Sequence, residues 1–318
     1  MKIVVLDGYT ENPGDLDWHD LKQLGDEFVL YDRTPADLIL ERAQGFDVVY
    51  TNKTPLTADT LSQLDACKFI GVLATGYNVV DVVAAKKNDI IVSNIPTYGT
   101  ESVAQMVFAH LFELARQVKH HSNEVKKGRW ASAPDFCFWD FPLMELSGKT
   151  MGIVGFGRIG QTAAKYANAF GMKVLAYDTF PVEVDGLEYE LVDMDTLLSN
   201  SDVISLHCPL FDENIGMINE SSIKMMKDSA YIINTSRGPL INEADLAEAL
   251  NKDQIGGAGL DVLSVEPALE SNPLLSAKNC NITPHISWAT KDARARLMGI
   301  AVDNLTSFKK GTPINVVS

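Results

Sequence analysis

The chain has 318 residues, 46% hydrophobic and 22% charged, a composition suited to a globular protein with two ordinary cores and unsuited to a disordered one. A formal net charge of −15 argues against a nucleic-acid or anionic-membrane partner, so any anionic ligand must be met by local groups. No run approaches the ~20 apolar residues of a membrane-spanning helix, and the widely spaced Cys67, Cys137, Cys208 and Cys280 form neither a CxxC pair nor a zinc-binding spacing. Reduced thiols in a cytoplasmic protein, with no metal, are the expectation.

The opening "MKIVVLDGYTENPGD" holds an apolar run too short for a signal peptide; it reads as a strand entering a turn. Apolar runs at 2–6, 26–32, 47–51 and 68–74 read as strands, separated by polar or amphipathic stretches at 18–24, 35–44 and 57–65. Repeated strand–helix units of this length predict a parallel sheet covered by helices. The apolar periodicity of 96–118 predicts a long helix, with Thr100 as N-cap and Glu101 in its first turn. An aromatic, turn-rich loop follows at 128–148.

A second series starts at "KTMGIVGFGRIG" and continues with strands at 173–178, 202–207, 230–235, 256–262 and 281–284. The last helix, about 289–309, returns to the first series. This predicts a discontinuous domain, 1–98 plus 288–318, around an inserted one, 99–287.

Gly155, Gly157 and Gly160 stand in GxGxxG spacing between an apolar strand and an alanine-rich helix. A glycine triplet alone also occurs in ordinary turns, so the flanking elements carry the signal. In that setting Gly155 permits the tight turn, Gly157 lets the backbone approach a pyrophosphate, and Gly160 lets helix and strand pack closely. The helix N-terminus offers the anion a partial positive charge. Asp178 ends the next strand, where a carboxylate accepts hydrogen bonds from an adenosine ribose. No Lys or Arg follows until Lys224, so a 2′-phosphate would meet a carboxylate without an adjacent cation. NAD, not NADP, is the expected cofactor.

Three chemically capable residues follow the later strands: Arg237 in "TSRGPLIN", Glu266 in "LSVEP" and His285 in "NITPHISWAT". In a doubly wound sheet, ligands bind outside the carboxyl ends of the strands, the edge that also carries the glycine loop. A 2-oxo acid needs a cation for its carboxylate, which a planar guanidinium suits. Its carbonyl oxygen needs a proton as a hydride arrives, which an imidazole delivers near neutral pH. A neighbouring carboxylate orients that ring and favours its protonated form. Each residue has a plainer alternative: a surface cation, a loop charge, a structural imidazole. Their joint placement beside a nucleotide loop favours the chemical reading.

Together, "GFGRIG" with Asp178, "INTSRGPLIN", "GLDVLSVEP" and "ITPHISWAT" resemble the D-isomer-specific 2-hydroxyacid dehydrogenase family, over essentially the whole chain. The resemblance implies an α/β fold of two doubly wound parallel-sheet domains, a flavodoxin-like substrate domain and a Rossmann NAD-binding domain, with the active site in the cleft between them and hinges near 98 and 288. It implies Arg237 as the substrate-orienting cation, Glu266 as the partner of the histidine, and His285 as the acid/base. It also implies cofactor contacts at Arg158, Ile159, Asp178, Cys208, Thr235, Ser236, Arg237 and Asp261, with Asp261 on the nicotinamide carboxamide. "LATGYNVVD" is similar to the family's substrate loop, in which Thr75 and Gly76 offer N–H groups to the carboxylate. Asn78 stands where the family often has aspartate, and Ser287 where alanine is expected.

The stretches "MKIVVLDGYTENPGDLDW", "TNKTPLT" and "TPHISWAT" are most similar to the branch of the family that reduces hydroxypyruvate to D-glycerate. The alternatives are another small 2-oxo acid, or a non-catalytic NAD-sensing protein of the same fold. Lys53 reads as a surface lysine, with reach toward the cleft as the other reading, while Trp288 either shapes the pocket or packs the hinge. His120 and His121 are adjacent and make a poor metal pair. His207 reads as a shaper of a nucleotide-facing loop. Phe136, Phe138, Trp139 and Phe141 read as an interface, in a region similar to the family's dimerisation arm, so a homodimer is expected.

Overall fold

The computed structural model describes residues 1–180 and 183–318. The chain divides into two compact units, Met1–Gly99 with Trp288–Ser318, and Thr100–Ser287.

The first unit is built on five strands, β1 (Lys2–Val5), β2 (Glu27–Leu30), β3 (Val48–Thr51), β4 (Phe69–Val72) and β5 (Ile91–Ser93), in the order β2-β1-β3-β4-β5. All pairings are parallel. Because side chains alternate along a strand, Val4, Val49 and Ile70 enter one core while Ile3, Val5, Val48, Tyr50 and Phe69 enter the other. Burial on both faces is why these strands read as nearly continuous apolar runs. The helix Lys291–Lys309 closes the second core with Ala293, Leu297, Met298, Ala301 and Leu305, a stripe at helical spacing. The side chain of Thr290 caps it by accepting from Ala293 N at 3.3 Å.

The second unit has seven strands: β6 (Thr150–Val154), β7 (Lys173–Tyr177), β8 (Glu190–Leu191), β9 (Val203–Leu206), β10 (Tyr231–Asn234), β11 (Gly257–Leu260) and β12 (Cys280–Ile282). Their order is β12-β11-β10-β9-β6-β7-β8, again all parallel. The chain starts in the interior at β6, runs outward through β7 and β8, then returns to run the other way through β9 to β12. That reversal puts a topological switch point between β6 and β9, where a doubly wound sheet opens a crevice for a ligand. Each of the two units is thus a doubly wound parallel sheet, the fold class expected from the sequence.

Two expectations are corrected. Thr100 is the first residue of the helix Thr100–Arg116, not the cap before it. Nor does that helix run through 118: Gln117 adopts a left-handed conformation, φ 49°, and a separate helix follows at Val118–Lys126. Among the described residues, no helix is long and apolar enough to cross a membrane.

Candidate active site

The carboxyl edge of the second sheet is assembled from the loops after β6, β7, β9, β10, β11 and β12. Directly after β6, Gly155 has φ +93°, and a Cβ there would lie 2.4 Å from the backbone nitrogen of Cys208. Gly160 is equally confined, with a Cβ position 2.2 Å from the carbonyl oxygen of Gly155. Gly157 differs: no described atom lies within 4 Å of its Cβ position. Two glycines therefore build the turn, and the third leaves space in front of the helix Arg158–Ala169. A backbone N-terminus facing open space is what a pyrophosphate requires.

Asp178 follows β7 by one residue. Its Oδ2 accepts from Phe156 N at 2.6 Å and its Oδ1 from Phe180 N at 2.8 Å. The carboxylate is thereby held against the glycine turn, and each oxygen keeps a second lone pair for ribose hydroxyls. After β9 and β10 the loops are tied together: Ser236 Oγ donates to Cys208 O at 2.6 Å, and Asn234 Nδ2 to Arg237 O at 2.8 Å. The hydroxyl oxygen of Thr235 is buried without a hydrogen-bond partner among the described residues. An orphaned buried hydroxyl is costly unless something bonds to it, which marks a place for a polar ligand atom.

Arg237 stands three residues past β10, exposed, with Nη1 donating to Ser236 O at 2.7 Å. Gly238 beside it has no room for a side chain: a Cβ would lie 1.9 Å from the carbonyl carbon of Leu263. This contact seats the Arg237 loop against the loop that follows β11. The helix Glu243–Asn251 fixes the latter, since Glu243 accepts from Ser264 N at 2.7 Å and from Asn272 Nδ2 at 2.9 Å.

Glu266 lies in that loop. One of its oxygens accepts from Leu263 N at 3.1 Å, and the other lies 2.6 Å from Nδ1 of His285. An ionised carboxylate only accepts, so Nδ1 carries the hydrogen of this bond. In the neutral ring of that tautomer, Nε2 is the nitrogen that carries no hydrogen. His285 itself is left-handed, φ 54°, a conformation that costs a side-chain-bearing residue about 1–3 kcal/mol and persists only where the surroundings impose it. Here the His285 N–H donates to Asp261 O at 2.8 Å and to Thr283 O at 3.0 Å.

Asp261 is 1% exposed, and each of its carboxylate oxygens accepts two bonds. Oδ1 accepts from Thr283 Oγ1 at 2.5 Å and Ile286 N at 2.9 Å. Oδ2 accepts from Ser287 N at 2.7 Å and from the Ser287 hydroxyl. Its carboxylate is thus engaged by residues on both sides of His285. Ser287, an unexpected residue from sequence, has a definite partner here.

A family model for the D-isomer specific 2-hydroxyacid dehydrogenase NAD binding domain matches residues 108–287. A hydroxypyruvate reductase of Blautia hydrogenotrophica is 56% identical over 324 residues, covering 100% of both chains. A glycerate dehydrogenase of Methylorubrum extorquens is 45% identical over 286 residues, covering 89% of each. The chain belongs to the D-isomer specific 2-hydroxyacid dehydrogenase family. The solved structure of a D-2-hydroxyisocaproate dehydrogenase superposes with a TM-score of 0.86 at 27% identity, covering 100% of this chain and 99% of that one.

As a D-2-hydroxyacid dehydrogenase the protein is an oxidoreductase that uses NAD, and the second unit fits that cofactor. The open Gly157 turn, the carboxylate of Asp178 and the orphaned Thr235 hydroxyl are the groups its phosphates, ribose and polar substituents require. Arg158 and Ile159 are the first two residues of the helix that the glycine turn leads into.

In the first unit of this dehydrogenase, Thr75 and Gly76 follow β4. Thr75 Oγ1 donates to Ile95 O at 2.8 Å, and Thr75 O accepts from Asn94 Nδ2 at 2.7 Å. Asn304 and Asn315 extend this bracing, with Asn304 Nδ2 donating to Asn94 O at 2.9 Å. Lys53 is exposed and held through its backbone, its N–H donating to Asp7 Oδ2 at 2.6 Å. Asn78 is exposed as well. Trp288 packs edge-on to Tyr98 with ring centroids 6.2 Å apart. His207 bonds through Nε2 to Ser205 Oγ at 2.9 Å, and burial pushes its pKa down to about 4. His120 and His121 hold the aromatic loop, His120 through Asp140 Oδ2 at 2.6 Å and His121 by accepting from Asp140 N at 3.3 Å on its Nε2.

The sequence reading missed Asp7, Asn234 and Thr283. Asp7 accepts from the N–H groups of Asn52, Lys53 and Thr54. These bonds reach 45 to 47 residues along the chain, so no local signal marked Asp7.

Proposed function

We propose that this chain is a hydroxypyruvate reductase that converts hydroxypyruvate to D-glycerate at the expense of NADH. The observation that carries the reading is the pairing of His285 Nδ1 with Glu266 Oε2 at 2.6 Å, on the edge that also bears Arg237 and the glycine turn. When bound, NADH supplies the hydride. His285 delivers the proton from Nε2 to the carbonyl oxygen, which completes the alcohol. Glu266 keeps the ring oriented and balances its positive charge, an arrangement of general acid catalysis worth ~10²–10⁴ in rate. Arg237 takes the substrate carboxylate with its planar fork, helped by the N–H groups of Thr75 and Gly76. Gly155, Gly157, Arg158, Ile159, Gly160, Asp178, Cys208, Thr235 and Ser236 hold the cofactor. Asp261, expected from the resemblance to hold the nicotinamide carboxamide, acts in this reading by holding the His285 segment, since its carboxylate acceptor positions are taken within the chain.

Hydroxypyruvate is favoured because the relative matched from end to end at 56% identity bears that name. A cytoplasmic homodimer is part of the reading. Phe136 is 89% and Trp139 66% exposed, on a loop pinned by the Arg129–Asp140 fork at 2.6 and 2.7 Å. A rigid exposed aromatic patch fits a partner copy better than solvent.

The test is NADH oxidation with hydroxypyruvate, glyoxylate, pyruvate and bulkier 2-oxo acids. The highest kcat/KM is expected with hydroxypyruvate, and a higher value with another acid reassigns the substrate. NADH binding without turnover of any of them would make this an NAD-sensing protein. His285→Ala is expected to abolish turnover and leave NADH binding intact.

A further inference from the structure

His110, in the middle of the helix Thr100–Arg116, is 4% exposed and distant in sequence from every residue assigned above. Its Nε2 lies 3.1 Å from Thr283 Oγ1. The Thr283 hydroxyl has a single hydrogen, and it is directed at Asp261 Oδ1 at 2.5 Å. Thr283 therefore accepts from His110, and His110 must carry its hydrogen on Nε2. Burial pushes the ring below the ordinary histidine range, consistent with a neutral Nε2–H imidazole. β11 is shaped to admit it, since a Cβ at Gly259 would lie 2.6 Å from His110 Cβ and 2.9 Å from Cγ. Near the start of the same helix, the Ser102 hydroxyl donates to Ser287 O. The helix thus grips the segment 283–287 at both ends, and His285 sits between the grips.

We propose that His110 is a positioning residue for His285, acting through a one-way chain of hydrogen bonds from His110 Nε2–H to the Thr283 hydroxyl to the Asp261 carboxylate. Asp261 accepts the N–H groups of Ile286 and Ser287 with its side chain and that of His285 with its backbone oxygen. The chain fixes the Thr283 hydroxyl in its role as donor, and so holds Asp261 in the one orientation that keeps His285 left-handed. The proposal rests on reading His285 as the acid/base, and it assigns the neutral imidazole of His110 no proton transfer to substrate.

The test compares His110→Leu, which ends the chain, with His110→Gln, whose amide donates from nearly the same place. The substrate is the best 2-oxo acid of the panel. His110→Leu is expected to lower kcat ~10–100-fold, the scale of a small displacement of a catalytic group. KM for NADH should stay within about 2-fold, and Gln should restore most of kcat, as expected of an oriented hydrogen bond. Should His110→Leu fail to fold, Thr283→Val against Thr283→Ser poses the same question. Nitrogen-15 NMR of the histidine rings is expected to find His110 as the Nε2–H tautomer. Wild-type kcat in both His110→Leu and Thr283→Val overturns the inference, as does an Nδ1–H tautomer. So does a loss shared equally by kcat and NADH binding that Gln fails to repair. His285→Ala, assayed alongside, separates the two failures: turnover that survives it sinks the acid/base reading. The tautomer readout still tests the His110–Thr283 link in that case.

Discussion

Glu266 Oε2 lies 2.6 Å from His285 Nδ1, and this one bond ties together the loops that leave the neighbouring strands β11 and β12. The carboxylate has a geometric role and an electrostatic one, and substitution separates them. Glu266→Gln keeps an acceptor for Nδ1–H and removes the charge; Glu266→Ala removes both. In the reducing direction kcat is expected to fall ~10-fold or more for Gln and further for Ala, within the ~10²–10⁴ range of general acid catalysis. Steady-state kcat with saturating NADH checks the order. Equal rates for Gln and wild type would remove charge from the explanation.

Asp178 is expected to decide between the two nicotinamide cofactors. Asp178→Asn keeps one oxygen for the N–H of Phe156 and relieves the repulsion of a 2′-phosphate. The ratio of kcat/KM with NADPH to that with NADH should rise ~10-fold or more, equivalent to about 1.4 kcal/mol. An unchanged ratio would place cofactor choice elsewhere.

The glycines of the turn are expected to fail in different ways. Gly160→Ala drives a methyl group into the carbonyl oxygen of Gly155, 2.2 Å away, and should cost roughly 1–3 kcal/mol of stability. Gly157→Ala meets no described protein atom within 4 Å, so its melting temperature should match wild type. Its methyl group would fill the space proposed for the cofactor, so its Kd for NADH should rise ~10-fold or more. Calorimetry and NADH fluorescence titration read the two effects independently.

Glu11 is expected to make the first unit lose stability as pH rises from 4.5 toward about 8. It is buried beside Asn52, which donates to its Oε1, while Oε2 has no partner among the described residues. Burial pushes its pKa up from 4.5 to about 8. The folded chain then binds this proton more tightly than the unfolded chain between those values. Its contribution is complete below pH 4.5 and declines at up to about 1.4 kcal/mol per pH unit as pH rises toward 8. Glu11→Gln should flatten the fall in melting temperature between pH 4.5 and about 8. His207 acts in the opposite sense: its pKa is pushed down to about 4, so its contribution is present above pH 6.5 and is lost as pH falls toward 4. An equally steep decline between pH 4.5 and about 8 in Glu11→Gln would shift the cause to another group.

Strands buried on both faces announce themselves as apolar runs, so both sheets were legible as sequence. So was the glycine turn, because its spacing sits between two periodic elements. Arg237, Glu266 and His285 were singled out because each lies in the loop that leaves a strand. The break at Gln117 was not legible: no glycine or proline marks it, and only the left-handed backbone reveals it. The bonds around Asp261 were hidden for another reason. They join Thr283, Ile286 and Ser287 to a residue more than twenty positions earlier, and side-chain hydrogen bonds across strands leave no periodic trace. His110 was invisible on the same ground, as one of several polar residues on its helix.

The helix Lys291–Lys309 seals one face of the sheet that begins at Lys2, and Val317 N bonds to Val92 O at 2.9 Å. The chain that starts the first unit therefore waits for its closing helix, while all of Thr100–Ser287 is made in between. At ~5–20 residues per second of synthesis, that wait lasts on the order of ten seconds or more. The second unit has its complete sequence outside the ribosome first, and the amino-terminal strands spend the interval with Ile3, Val5 and Phe69 unsealed. Vectorial synthesis thus lets the inserted unit be completed before the unit that surrounds it in sequence.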